Sequence, residues 1–209
     1  MIQLNRVLFV LLTTIFFLSA CSTLNQVRYE TRYYNLEYSS PRLSDLKSLP
    51  LVIKMEHFNT APIYHTSRIL YRDRSFDLKS YPYHKWRANP GDLVQYFLLR
   101  DLWASGLFKA VLPYSSTSVA PYVIEGCLDE FLEWDGTKDW QAVLSLSITL
   151  INRDEKDEQK RIVMQKVYRT IEPCDRKNPL AVVEAMSRAM SRTSEQIIRD
   201  LYTSLKEEH

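Results

Sequence analysis

The sequence predicts an α+β fold: a two-layer sandwich whose mainly antiparallel sheet carries two long helices on one face. Three observations lead there. Ala142, Leu144, Leu146, Ile148 and Leu150 alternate with Ser145, Ser147 and Thr149, the period-two pattern of a strand with one apolar side. The dipeptide Asn-Pro occurs at Asn89-Pro90 and again at Asn178-Pro179, each time ahead of apolar residues at helical spacing. Each such helix has an apolar stripe that must be buried, and a sheet is the layer on offer.

The elements come in this order. Arg32 to Leu36 reads as a short first strand, and Pro41 to Pro50 as a loop. Leu51, Ile53 and Met55 alternate with Val52, Lys54 and Glu56, which is strand patterning. Ser67–Tyr71 and Ser75–Tyr81 read as a hairpin around Arg72-Asp73-Arg74. Asparagine can satisfy free N–H groups at a helix start, and proline at the first helical position gives up no hydrogen bond. The first helix therefore opens at Asn89-Pro90, carries Leu93, Tyr96 and Trp103, and stops at Gly106, a residue suited to the left-handed end of a helix. Leu107–Leu112 is the next strand. Tyr122–Trp134, with a bulge near Asp129, then Ala142–Leu150, then Arg161–Ile171 make an antiparallel meander. The second helix runs from Asn178-Pro179 to about Leu205, with Val183, Met186, Met190, Ile197 and Leu201 on one face.

The start of the chain has a different character. Val7 to Leu18 is an unbroken run of apolar residues and threonines behind a single cation, Arg6. At ~1.5 Å per residue it covers roughly 18 Å, too little for a hydrocarbon core of ~30 Å. It reads as a secretory signal spanning residues 1–20. Residues 21–31 form a tether, and one domain occupies 32–209. Past residue 20 the chain is long enough for one good core and not for two.

Composition excludes several functions. Lys and Arg number 27 against 25 Asp and Glu, a net charge of +2, which speaks against a dedicated nucleic-acid binder. Four glycines cannot build a glycine-rich phosphate loop. The four histidines, His57, His65, His84 and His209, never pair at helical spacing, so no metal site and no cofactor is expected. His57 and His65 flank a proline-containing loop and could meet in space. No G-x-S-x-G elbow occurs, and the acids between Asp129 and Asp139 surround a strand turn, so no catalytic residue is assigned. In the meander Cys127 falls opposite Ser147, with Cys174 two strands away. Two inter-strand spacings come to ~9.5 Å, while a disulfide needs Cα atoms within about 7 Å. Two free thiols are expected.

The densest unusual stretch runs from Tyr64 to Arg87. Arg68, Tyr71, Arg72, Arg74, Tyr83, Trp86 and Arg87 are the candidate contacts to a protein partner or to lipid headgroups. Arginine beside an aromatic ring makes stacked and forked contacts, and both surfaces use them.

Two resemblances sharpen the reading. Leu18-Ser19-Ala20-Cys21 resembles the lipobox of bacterial lipoproteins. That implies a diacylglycerol on the sulfur of Cys21, cleavage before it, and acylation of the new amino group. Two or more acyl chains hold a protein stably at a bilayer. Ser22 in place of aspartate resembles the outer-membrane-directed class. The segment Tyr64–Pro113 resembles the ABC-type transport auxiliary lipoproteins, the group that includes PqiC. The likeness is carried by Tyr34-Asn35-Leu36, the pair Tyr71-Arg72, then Tyr83 and Trp86 before Pro90. Ser105-Gly106-Leu107-Phe108-Lys109-Ala110-Val111 and "APYVIEGCLDEF" (Ala120–Phe131) continue it.

This resemblance implies a non-enzymatic, lipid-anchored component on the periplasmic side of the outer membrane. Its partners would be an MCE-domain substrate-binding protein with its ABC permease and ATPase, moving lipid or another hydrophobic solute. Rings in PqiC-type members imply self-association. The other readings are an activator or assembly factor of a different envelope machine, and a periplasmic hydrolase, for which no nucleophile or metal set is found.

Overall fold

The computed structural model describes residues 29–73, 76–136 and 139–208. The signal, Cys21, most of the tether and Arg74 lie outside the described residues. The unit that begins at Thr31 is treated by itself. Its elements are β1 (Arg32–Tyr34), β2 (Leu49–Met55), β3 (Asn59–Thr60), a 3-10 turn (Pro62–Tyr64), β4 (Arg68–Arg72), β5 (Leu78–Trp86), α1 (Pro90–Ser105), β6 (Phe108–Leu112), β7 (Tyr122–Asp135), β8 (Trp140–Asn152), β9 (Ile162–Pro173) and α2 (Pro179–Glu207).

β7 is the spine. On one side it begins the antiparallel meander β7-β8-β9, with Ile124 opposite Leu150 and Leu144 opposite Thr170. The register slips between Leu128 and Glu130, which makes Asp129 the bulged residue. On its other side β7 takes three separate pieces of chain in succession, all parallel to it. Ile53 of β2 lies opposite Tyr122, Asn59 of β3 opposite Cys127, and Tyr71 of β4 opposite Glu133. Beyond them β6 pairs with β2, β5 pairs with β4, and β1 pairs with β5 as the outermost strand. The long antiparallel meander carries most of the pairing, as expected. The parallel pieces come from the first half of the chain, because side-chain alternation is the same for either strand direction.

α1 packs on β6 and β7, α2 packs on β8 and β9, and the two helices touch, so both cover one face. Between the layers Leu98, Ile124, Leu128, Leu144, Leu146, Met186, Met190, Ile197 and Leu201 are fully buried. Asn178 caps α2 as the sequence requires: its side chain accepts the Ala181 N–H at 3.0 Å. Asn89 differs. Its backbone is extended ahead of Pro90, but its side chain makes no cap bond. Gly106, at φ 61°, ends α1. Cys127 does face Ser147 in register, and both Cys127 and Cys174 are free thiols.

One glycine is fixed by close approach. A Cβ on Gly126, in the middle of β7, would overlap the ring of Phe58. That ring is buried, and the Phe58 N–H is held at 3.0 Å by the Gln95 side chain on α1, so it has little room to retreat. Overpacking of this kind costs about 1–3 kcal/mol. Gly126→Ala is expected to lower the stability read from urea melts by that amount, and Phe58→Leu in the same chain to restore part of it.

Candidate functional site: a basic and aromatic end of the sheet

The β1–β5–β4 end of the sheet gathers the candidate cations. β4 and β5 pair with Arg68 opposite Lys85, after a slip of register that separates this pair from Leu70 opposite Ser80. β1 adds Tyr33 opposite Lys85. Arg87, just past β5, lies with its guanidinium 5.4 Å from the centre of the Tyr33 ring. Trp86, between Lys85 and Arg87, points the other way into the core, where it meets the edge of Phe131 at 5.1 Å between ring centres. Since Trp86 faces the helices, Lys85 and its neighbour Arg68 face away from them. Tyr83 sits in the irregular stretch of β5 and is exposed. Arg68 and Arg87 are exposed as well.

Of the seven candidate contacts, Arg68, Tyr83 and Arg87 thus lie on this end, joined by Lys85, a further cation of the same Tyr64–Arg87 stretch, and by Arg32 and Tyr33, which no sequence pattern singles out. Trp86 must be corrected: only 2% exposed, it is a core residue that no partner can reach. Aromatic bulk next to cations has the composition of an interface, but alternation along β5 puts this ring inside. Tyr71 is half-buried on the helix side, its ring 4.8 Å from that of Tyr81. Arg72 is half-buried with its Nε enclosed and unpartnered. Arg74 lies outside the described residues.

On the helix side of the sheet stand two buried carboxyl groups. Glu133 of β7 and Glu172 of β9 flank Ala142 of β8. Glu172 is answered by Arg192 at 2.6 Å and Arg188 at 3.6 Å, both from α2. Glu133 receives the Tyr81 hydroxyl at 3.0 Å. Burial pushes its carboxyl up to about 7, against the hydrogen bond from Tyr81, which lowers it. Burial, and then the charge of Glu133, push the Cys174 thiol up to about 12. Such a thiol stays protonated and is a poor nucleophile. Two further acids of β7 are occupied: Asp129 accepts from Ser147 at 2.6 Å, and Glu130 pairs with Arg169.

His57 and His65 line the same open cleft of about 380 Å³, with Asn59, Thr60, Asn89 and Asp92 between and around them. Among the described residues no group of three His, Cys, Asp or Glu side chains is arranged to hold a metal.

The family model of the ABC-type transport auxiliary lipoprotein component matches residues 34–198. The chain belongs to that family. The auxiliary lipoprotein also resembles solved structures. A Xanthomonas campestris protein of the DUF330 family superposes with TM-score 0.76 at 15% identity, covering 85% of this chain and 98% of that one. The Chlamydia trachomatis protein CT253 superposes with TM-score 0.51 at 8% identity, covering 74% and 96%. At such identities these likenesses speak for the fold. No match is found among curated proteins. Among the described residues, no helix of the auxiliary lipoprotein is long and apolar enough to cross a membrane.

Glu133 gives a pH dependence with a definite sign. Its folded pKa of about 7 lies above the ordinary 4.5. Between those values the folded chain holds a proton that the unfolded chain has released. Folding is therefore favoured most below the lower value, and that advantage is lost as pH rises through the upper one. Glu133→Gln keeps an acceptor for Tyr81 and removes the charge. It is expected to match the wild type near pH 4.5 and to exceed it at pH 8 by on the order of 1–3 kcal/mol, read from urea melts at both pH values.

Proposed function

We propose that this protein is a non-catalytic lipoprotein of the outer membrane, anchored through Cys21 and facing the periplasm, that serves an MCE-associated ABC system moving lipid or another hydrophobic solute between membranes. One observation carries the reading: a lipobox-like Leu18-Ser19-Ala20-Cys21 stands just ahead of a domain that belongs to a transport auxiliary family. The non-catalytic part is supported by the side chains themselves. Asp129, Glu130 and Glu133 are engaged in structural bonds, and the Cys174 thiol is held protonated. The family's description as an auxiliary component agrees with this. The partners in this reading are an MCE-domain protein, the permease and ATPase of the same system, and further copies of the chain itself.

The anchor is tested by growing cells with a labelled fatty acid. Label is expected on the wild-type protein and none on Cys21→Ala; a native protein whose mass carries no acyl chain would remove the anchor. The transport role is tested by crosslinking in cells and purification from detergent. An MCE-domain protein is expected among the partners, and recovery of a wall synthase or secretion component in its place would move the protein to a different machine.

A further inference from the structure

The basic end of the sheet lies where the chain arrives from its tether. β1 is the outermost strand on its side of the sheet, and it begins at Arg32, the first residue after the tether. The ten residues from Ser22 to Thr31 reach at most ~35 Å at ~3.5 Å per residue. Whatever surface holds Cys21 is therefore never far from β1.

The chemistry of this end is one-sided. Arg32, Arg68 and Arg87 are exposed, and Lys85 is half-exposed. Several other cations of the domain are answered by acids: Lys79 with Asp73, Arg153 with Glu56, Lys166 with Asp200, Arg169 with Glu130, Arg199 with Asp45. Among the described residues, no ion pair takes up Arg32, Arg68, Lys85 or Arg87. Tyr33 and Tyr83 stand among them, 51% and 39% exposed, amphipathic rings of the kind that settle at a membrane–water boundary. Arg87 stacks on Tyr33, which leaves the edge of its guanidinium open to oxygen ligands.

We propose that this end is a docking face for anionic phospholipid headgroups, formed by Tyr33, Arg68, Tyr83, Lys85 and Arg87, which seats the domain edge-on against the bilayer holding its anchor. The inference rests on the anchored reading above for its setting, but its chemistry does not need the acyl chains. A lipid surface fits this end because exposed cations stand together with the amphipathic rings of Tyr33 and Tyr83, within the reach of a short tether that ends at β1. The helix-bearing layer, on the other side of the sheet near Trp86, is left free for contacts in the periplasm.

The test uses the chain from Ser22 onward, made without signal or lipid. The whole core, from Leu36 to Leu205, lies inside it, and circular dichroism checks each variant. Binding to vesicles of phosphatidylethanolamine alone is compared with vesicles containing phosphatidylglycerol and cardiolipin, by sedimentation at low and physiological salt. Binding is expected to need the anionic lipids and to weaken with salt. The triple change Arg68→Gln, Lys85→Gln, Arg87→Gln is expected to lower it about 100-fold, roughly fivefold per charge. The control Lys47→Gln, Lys156→Gln, Lys177→Gln removes the same net charge from exposed sites elsewhere and is expected to leave binding within about twofold. Equal binding to neutral vesicles, an equal loss in the control, or no salt dependence in the wild type would overturn the proposal. So would a triple variant that binds vesicles normally but loses a crosslinked protein partner, which would make this a protein contact. Acylation of Cys21 is read separately by mass, so a failed anchor and a failed docking face give different results.

Discussion

The pairing capacity of a single strand governs this domain. β7 is fourteen residues long, and both of its edges are used. On one side it supports a regular meander. On the other it holds β2, β3 and β4, of seven, two and five residues. Only because β4 lies along the end of β7 is there a place for β5, and only because of β5 is there a place for β1. The basic end is therefore two strands removed from the element that fixes it. Gly126 belongs to the same constraint: the spine must pass so close to Phe58 that no side chain fits between them.

Buried charge sets the finer geometry. Asp101 of α1 is completely enclosed. It accepts from the hydroxyls of Tyr38 and Ser40 at 2.7 Å each and from Arg100 at 2.7 and 2.9 Å. The Arg100 guanidinium is in turn held against the rings of Tyr38 and Phe97, 4.4 and 4.5 Å away. A carboxylate this deep is tolerated only when its lone pairs are filled. Filling them ties the segment after β1 to the helix layer. Leu36 and Leu43 from the same segment are sunk into the core. Glu172 ties the far edge of the sheet to α2 by charge, through Arg188 and Arg192, although its buried Oε1 makes no hydrogen bond, whereas Glu133 accepts from a phenol.

Much of this was legible in the residues. The meander could be read because serine and threonine alternate with leucine through β8, and its register followed from one turn, down to Cys127 facing Ser147. Helix ends could be read because Asn178 and Gly106 have jobs that few residues do. The broken partner of β7 could not be read. β3 is two residues long, and its place depends on where β2 and β4 already lie. Strand direction in the first half was hidden for the same reason, since period two is common to both directions. At the candidate site, Arg68 and Arg87 stood out as charges near rings, but Trp86 misled. Its inward turn depends on the slipped register within β5, and no local pattern announces that. Lys85 belonged to the cation-rich stretch but was not picked out of it, and Tyr33 was missed because it is not unusual until β1 is laid beside β5.

The divided edge of the spine also dictates when the domain can be completed. Ile53 must wait for Tyr122, and Arg72 for Trp134, across more than sixty intervening residues in each case. Contacts so distant along the chain are slow to form, since loop closure comes before any reward. While the second half is still being made, the first half has strands without a neighbour and cations without a settled place. Such a chain emerges unfinished, with exposed strand edges that invite aggregation. It therefore has a physical need for escort until β7 has arrived and the three short strands can close upon it.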